Sequence, residues 1–280
     1  MSVSMWRTGP FLGAVLLLCA CSSADTVEVS NQDDAADVAA TNFLNRMAGA
    51  EEERAAPAEP FEESNKTEVL EFLYAWPAQV SAVPDLTAKL RKDMTEGKAD
   101  ALKMAEQDRK SARESGFPFH THSLETRWTV SADTPRFLAL QSSTYSYTGG
   151  AHGMTGYKAL LWDKARRRET SIQALMTSPK AFADAIHDRF CTGLDKARAV
   201  KRGGPVAPRG DDPFSGCIDP MKEVLTLTSK DGKLIEGVTV VIGPYSAGPY
   251  SEGSYEVFLP VDAAMRKTIK TEYQDAFVTR

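Results

Sequence analysis

A histidine enclosed by glycines is the first place in this sequence where chemistry could be done. His152 lies in Gly149-Gly150-Ala151-His152-Gly153, directly after Tyr145-Ser146-Tyr147-Thr148. Glycines reach positive φ without steric cost and let backbone N–H groups come close to a ligand. A histidine held there can bind an anion, shuttle a proton or ligate a metal. The competing reading is that Gly149 and Gly150 shape a tight bend and His152 satisfies a local hydrogen bond. His120 and His122 alternate, which would put both rings on one face of a strand. Pro118 just ahead of them marks a loop entering that strand, and a metal site needs about three protein ligands. Neither HExxH nor HxxxH spacing occurs, so neither a metal nor a cofactor is expected. Serine chemistry has no GxSxG elbow to stand on. Asp163 and Glu252 are a carboxylate pair only if the fold brings them together.

The tyrosines carry a different chemistry. Tyr145 and Tyr147 alternate and so share one sheet face. Tyr245 and Tyr250 each follow a Gly-Pro pair in a loop over 243–254. Tyrosine offers rigid amphipathic contact area at low entropy cost, as carbohydrate- and protein-binding surfaces require. The ligand-binding candidates are therefore Tyr145, Tyr147, Gly149, Gly150, His152, Tyr245 and Tyr250, with no catalytic residue assigned. Core or cross-strand packing is the alternative for half of the tyrosines.

Elements to position these residues are legible. Phe72, Tyr74 and Trp76 alternate in a strand stopped by Pro77. Leu86, Leu90 and Met94 recur every fourth residue in a long helix from about Asp85, its expected N-cap, to Ser115. Gly116 is its stop, and Gly97 is a point where it breaks or bends. Strands at 124–131 and 136–148 flank the turn Asp133-Thr134-Pro135, and a third covers 157–162. A second helix begins near Pro179 with Phe182, Ile186 and Phe190 on one face. Strands at 224–229, 234–242 and 255–259 and a helix near 262–273 complete the chain. Strands joined by short turns, with helices in separate blocks, predict an α+β fold: an antiparallel sheet packed with two or three helices.

The chain has 280 residues, 42% hydrophobic and 25% charged, with a net charge of −5. That is globular composition, with no basic excess for generic nucleic-acid binding. The charge is unevenly spread. Residues 22–66 hold eleven acidic and three basic residues, whereas 67–280 hold 27 and 29. An acidic, Ala- and Pro-rich stretch with few aromatics buries too little to offset its ordering entropy, so residues 21–66 read as a flexible tether. Ahead of it, Arg7 and the apolar run Phe11–Cys19 form the n- and h-regions of an export signal over 1–20, too short for a membrane span. Leu18-Cys19-Ala20-Cys21 resembles a bacterial lipobox. The resemblance implies a diacylglyceryl anchor on Cys21, and Ser22, in place of an aspartate, favours the outer membrane. Export then leaves Cys191 and Cys217 in an oxidising compartment, and a disulfide between them is expected.

The string from Tyr145 to Gly153, with the strand ending Trp162-Asp163 and the upstream Trp76-Pro77 strand and long helix, resembles the PdaC-type domain of some peptidoglycan deacetylases. The resemblance covers residues 67–168. Gly243-Pro244-Tyr245 through Gly253-Ser254-Tyr255-Glu256-Val257 and Leu259-Pro260 is similar to the RsiV-type domain of lysozyme-sensing anti-sigma factors, here residues 169–280. These resemblances imply an α+β envelope domain with a binding role. They do not imply deacetylation, which belongs to a separate domain with a paired-aspartate motif, nor an anti-sigma role. The expected function is a non-catalytic, lipid-anchored binding module of the cell envelope, facing the periplasm, for peptidoglycan, another glycan or a periplasmic protein. A cell-wall hydrolase centred on His152 and a structural envelope lipoprotein are the alternatives.

Overall fold

The alternation of Phe72, Tyr74 and Trp76 buries all three on one face of strand β2 (Leu70–Trp76) in the computed structural model. The structure describes residues 57–206, 210 and 214–279. The expected signal peptide at 1–20, the lipid site Cys21 and the tether as far as residue 56 lie outside these. The fold is α+β. One sheet has six strands in sequence order, β1 (Phe61–Lys66), β2, β3 (His122–Asp133), β4 (Phe137–Tyr147), β5 (Met154–Asp163) and β6 (Arg168–Thr170). The other is a meander of β7 (Val224–Thr228), β8 (Gly237–Ile242) and β9 (Tyr255–Pro260). Among the described residues, no helix is long and apolar enough to cross a membrane.

Four sequence expectations are corrected. The tether reading of residues 21–66 fails at its end, because Phe61–Lys66 is a strand paired antiparallel to β2. An edge strand needs few buried side chains, and here Phe61 alone stacks on Trp76 at 3.9 Å. The acids that looked solvating are partnered, Glu63 with Lys98 at 2.6 Å and Glu62 with Arg127 at 3.3 Å. The sheet is also not antiparallel throughout, since β2 and β3 run parallel. A parallel pair needs a long crossover. Helix α1 (Pro84–Ser115), 32 residues long, supplies it. Pro84 opens α1 after Val83, so Asp85 lies in the first turn rather than at the cap, and Gly116 closes it at φ 74°. Gly97 does not interrupt the helix. Leu86, Leu90, Met94 and Ala105 are buried along one stripe, and that burial carries the helix across a residue of low propensity.

Strand β4 separates two cores. Leu138 and Leu140 face Leu86, Leu90 and the aromatic rings of β2. Phe137 and Ala139 point the other way, into a core shared with helix α2 (Pro179–Arg202) and β7–β9. In β5, Leu160 and Trp162 divide from Leu161 in the same manner. Phe182, Ile186, Phe190 and Leu194, every fourth residue of α2, are fully buried. A Cβ on Gly193 would run into a methyl of Val257, so α2 lies close against β9. The expected disulfide joins Cys191 to Cys217 with Cα atoms 5.3 Å apart, within normal bridging range. Helix α3 (Ala263–Thr268), capped by Asp262, and a 3-10 turn at Thr271–Ala276 end the chain.

Candidate functional site

Two loops far apart in sequence meet at His152. The first leaves β4 through Gly149, at φ 92°, and reaches β5. The second joins β8 to β9 and presents Tyr245 and Tyr250. The His152 imidazole stacks on the Tyr250 ring with centroids 3.8 Å apart and an interplanar angle of 18°. Tyr245 leans against both, at 5.7 Å from Tyr250 and 6.3 Å from His152. Tyr245 is 46% exposed, and His152 is also exposed. The Tyr245 backbone sits at φ 69°, a region costly for a residue with a side chain. Such strain persists only where the surroundings over-determine the conformation.

The hydrogen bonds fix the tautomer. His152 Nδ1–H donates to the Gly153 carbonyl at 3.0 Å, which leaves Nε2 as acceptor for the Tyr245 hydroxyl at 3.3 Å. Tyr250 donates to the same Gly153 carbonyl at 2.8 Å. Gly153 must be glycine, because a Cβ there would overlap the Tyr145 ring. Of the residues singled out in the sequence, His152, Tyr245 and Tyr250 therefore form one cluster with Tyr145 beneath it. Tyr147, opposite Ser123 at the end of β4, has no ring contact with the cluster among the described residues. Gly149 shapes the bend. Gly150 is exposed, and a Cβ there would only touch the His152 carbonyl at 4.0 Å.

The loop carrying the two tyrosines is clamped by the end of α2. Arg198 Nε donates to the Ala247 carbonyl at 3.0 Å, and Nη1 to the Gly216 carbonyl at 2.8 Å. Arg202 grips Glu252 with two hydrogen bonds, of 2.8 and 3.0 Å. Lys201 Nζ donates to the Glu252 and Ser254 carbonyls. Tyr255 donates to the Glu252 carboxylate, and the Tyr157 and Ser254 hydroxyls share a hydrogen bond of 2.5 Å. The Arg202 hydrogen bonds hold the Glu252 carboxyl below the usual carboxylate range. Burial, reinforced by the bond to Glu252, pushes the Tyr255 phenol up to about 12. Burial also lowers the Arg198 guanidinium, with Arg202 adding repulsion.

The remaining candidates are separated. Asp163 is paired with Arg136 at 3.0 Å and Glu252 with Arg202, so the two carboxylates serve different arginines. His122, almost fully buried, contacts Asp108 at 3.3 Å and stacks on Phe119. His187, Cys191 and Cys217 place ligand atoms within 4.8 Å of one another, but the disulfide consumes both thiolates. Sequence reasoning missed the arginine clamp, although its signal was present. Arg198 is the next step of the series Phe182, Ile186, Phe190, Leu194, so a helix that buries this stripe must bury the guanidinium too.

Comparison with known proteins follows the same lines. A family model described as Deacetylase PdaC matches residues 63–155. No curated protein matches the chain. Among solved structures, a DUF3298 family protein from Pseudomonas aeruginosa PAO1 is similar at 17% identity and a TM-score of 0.50, over 80% of this chain and 98% of that one. A DUF3298 family member from Bacteroides fragilis is similar at 16% identity and a TM-score of 0.45, over 77% and 94%. Residues 63–155 thus carry the PdaC-type match, and the chain shares its α+β fold with a DUF3298 family protein of known structure.

Proposed function

We propose that this protein is a lipid-anchored binding module of the cell envelope, and that it grips cell-wall glycan with the face built by His152, Tyr245 and Tyr250. The observation that carries the reading is the cluster of three rings, with His152 and Tyr245 exposed and Tyr250 half-buried between them, whose tyrosine loop is held by Arg198, Lys201 and Arg202. Aromatic faces already fixed in place lose little side-chain entropy on binding. The partners of His152 are a carbonyl and a phenol, which orient the ring without supplying the acid, base or nucleophile that hydrolysis requires. The PdaC-type match and the RsiV-type resemblance of residues 169–280 agree with an envelope role, and the lipobox resemblance at Cys21 with anchoring in the outer membrane. The test is co-sedimentation with purified peptidoglycan sacculi. Tyr245→Ala and His152→Ala are expected to weaken binding on the order of tenfold each with little change in Tm. Undiminished binding by both variants would refute the assignment, and so would binding absent from the native chain.

Anchoring has its own measurement. Cys21→Ala is expected to abolish metabolic labelling with radioactive palmitate and to leave a longer precursor. Equal labelling of both chains would remove the anchor from the proposal.

A further inference from the structure

The face of the six-stranded sheet opposite the His152 cluster carries a second feature. Between α1 and strands β2–β5 runs a cleft of about 640 Å³, within the size range of small-molecule sites. Its floor follows from strand alternation. Ser142, Thr144 and Ser146 of β4 share one face, opposite the one taken by Tyr145. Trp128 pairs across from Ser142, Thr126 from Thr144, and Leu124 from Ser146. On the far side Gly156 pairs with Thr144, so the trough has no side chain there. From Ser142 to Ser146 the hydroxyl floor extends for about 14 Å at the usual rise per residue.

Two kinds of wall face each other. Phe72, Tyr74 and Trp128 supply aromatic edges, with Met94 above them on α1. The floor supplies neutral hydroxyls. Ser142 is 1% exposed, and its Oγ has no hydrogen-bond partner among the described residues. A buried hydroxyl left without a partner is costly, and it lines this cleft. Thr126 and Thr144 bond to each other at 2.9 Å and each keeps further hydrogen-bonding capacity. Tyr74 accepts from Trp128 Nε1 at 3.0 Å, so its own O–H remains to be donated. At the mouth Lys89 is occupied by Glu169 at 3.5 Å and Asp93 at 3.8 Å.

We infer that this cleft is a binding site for an uncharged oligosaccharide of two or three units. Its hydroxyls meet the Ser142, Thr144 and Ser146 ladder, and its ring C–H faces lie against the aromatic wall. A fatty chain would strand the hydroxyl floor, and of the charged groups in the lining Lys89, Asp93 and Glu169 are already paired with one another, which leaves only the exposed Lys158 of β5 outside an ion pair among the described residues. The site is independent of the reading above: it uses other residues on the opposite face of the sheet.

Two glycines make the test clean. Gly97 on α1 and Gly156 on β5 both line the cleft, and a Cβ at either meets nothing within 4 Å. Gly97→Leu and Gly156→Val would fill the site while replacing glycine by better helix and strand formers. The measurement is saturation-transfer NMR on the purified chain with cellotriose, maltotriose and chitotriose. The expected result is transfer to at least one of them, abolished by Gly97→Leu and Gly156→Val at unchanged or raised Tm. Ser142→Ala should weaken binding about tenfold, and the signal that remains in the His152→Ala chain, which lacks the aromatic face, is the one the two filling variants must abolish. Absence of transfer to all three sugars, or transfer that survives both filling variants, would overturn the proposal. If His152→Ala and not Gly97→Leu removes the signal, the sugar sits on the aromatic cluster and the cleft assignment fails alone.

Discussion

Arg198→Ala is expected to destabilise the protein by about 3–5 kcal/mol, the range for removing a buried charged group from its partners. The guanidinium is fully buried and joins three segments at once. It holds the Gly216 carbonyl beside the disulfide, the Ala247 carbonyl in the tyrosine loop, and Asp195 at 3.5 Å on its own helix. Truncation leaves the carbonyls without donors and a void behind them. For a chain of this size the shift in Tm would be on the order of 10 °C. Thermal and urea unfolding measure it directly. Arg198→Lys should recover part of the loss, because an ammonium can reach one carbonyl but not both. A cost under about 1 kcal/mol for Arg198→Ala would mean that water replaces the guanidinium and that the clamp is not structural.

The second large effect concerns the bridge between Cys191 and Cys217. Replacing both cysteines with alanine is expected to cost roughly 3–4 kcal/mol, from the freedom regained by the unfolded loop in the chain-entropy model. Cys191 is anchored in the core of α2, and Cys217 is only half-buried at the end of the connecting segment. The bridge is thus the covalent tie, and Arg198 the polar one, on the same stretch of chain. Because both fasten residues 215–217, their losses should not add. The double variant is expected to fall short of the sum by about 1 kcal/mol or more. Strict additivity in a double-mutant cycle would show that the two restraints act on separate parts of the fold. Alkylation with and without prior reduction, read by mass spectrometry, checks the bridge itself.

Much of the fold was legible in the residues. The stripe of α2, the hairpin around Asp133-Thr134-Pro135, the meander of β7 to β9 and the cysteine pairing all follow from local pattern or simple exclusion. What the sequence hid was tertiary. Strand β1 has one half-buried ring and a pair of acids, and nothing local distinguishes it from a solvated tail until Lys98 and Arg127 come to meet Glu63 and Glu62. The parallel pairing of β2 with β3 depends on where a 32-residue helix returns the chain, which periodicity cannot report. The candidate site divides in the same way. Tyr245, Tyr250 and His152 stood out by type and by their glycine and proline neighbours, but their meeting across 93 residues of sequence is set by the clamp from α2. The cleft was invisible because its floor is an absence: small side chains at alternate positions of β4, and glycines where larger residues would fill the space.

Strand β4 has no indifferent face. Phe137 and Ala139 belong to the core with α2, Leu138 and Leu140 to the core with α1, and Ser142, Thr144 and Ser146 to the cleft. Side chains on a strand alternate with period two, so a slip of one residue against β3 or β5 would invert the whole set. Phe137 and Ala139 would turn toward α1, Leu138 and Leu140 toward α2, and the Gln141 and Tyr145 side chains would be turned into the cleft. Most antiparallel strands tolerate mispairing better, because one side meets water. Here both sides reject it, so the pairing of β3, β4 and β5 is proofread by two hydrophobic cores rather than one.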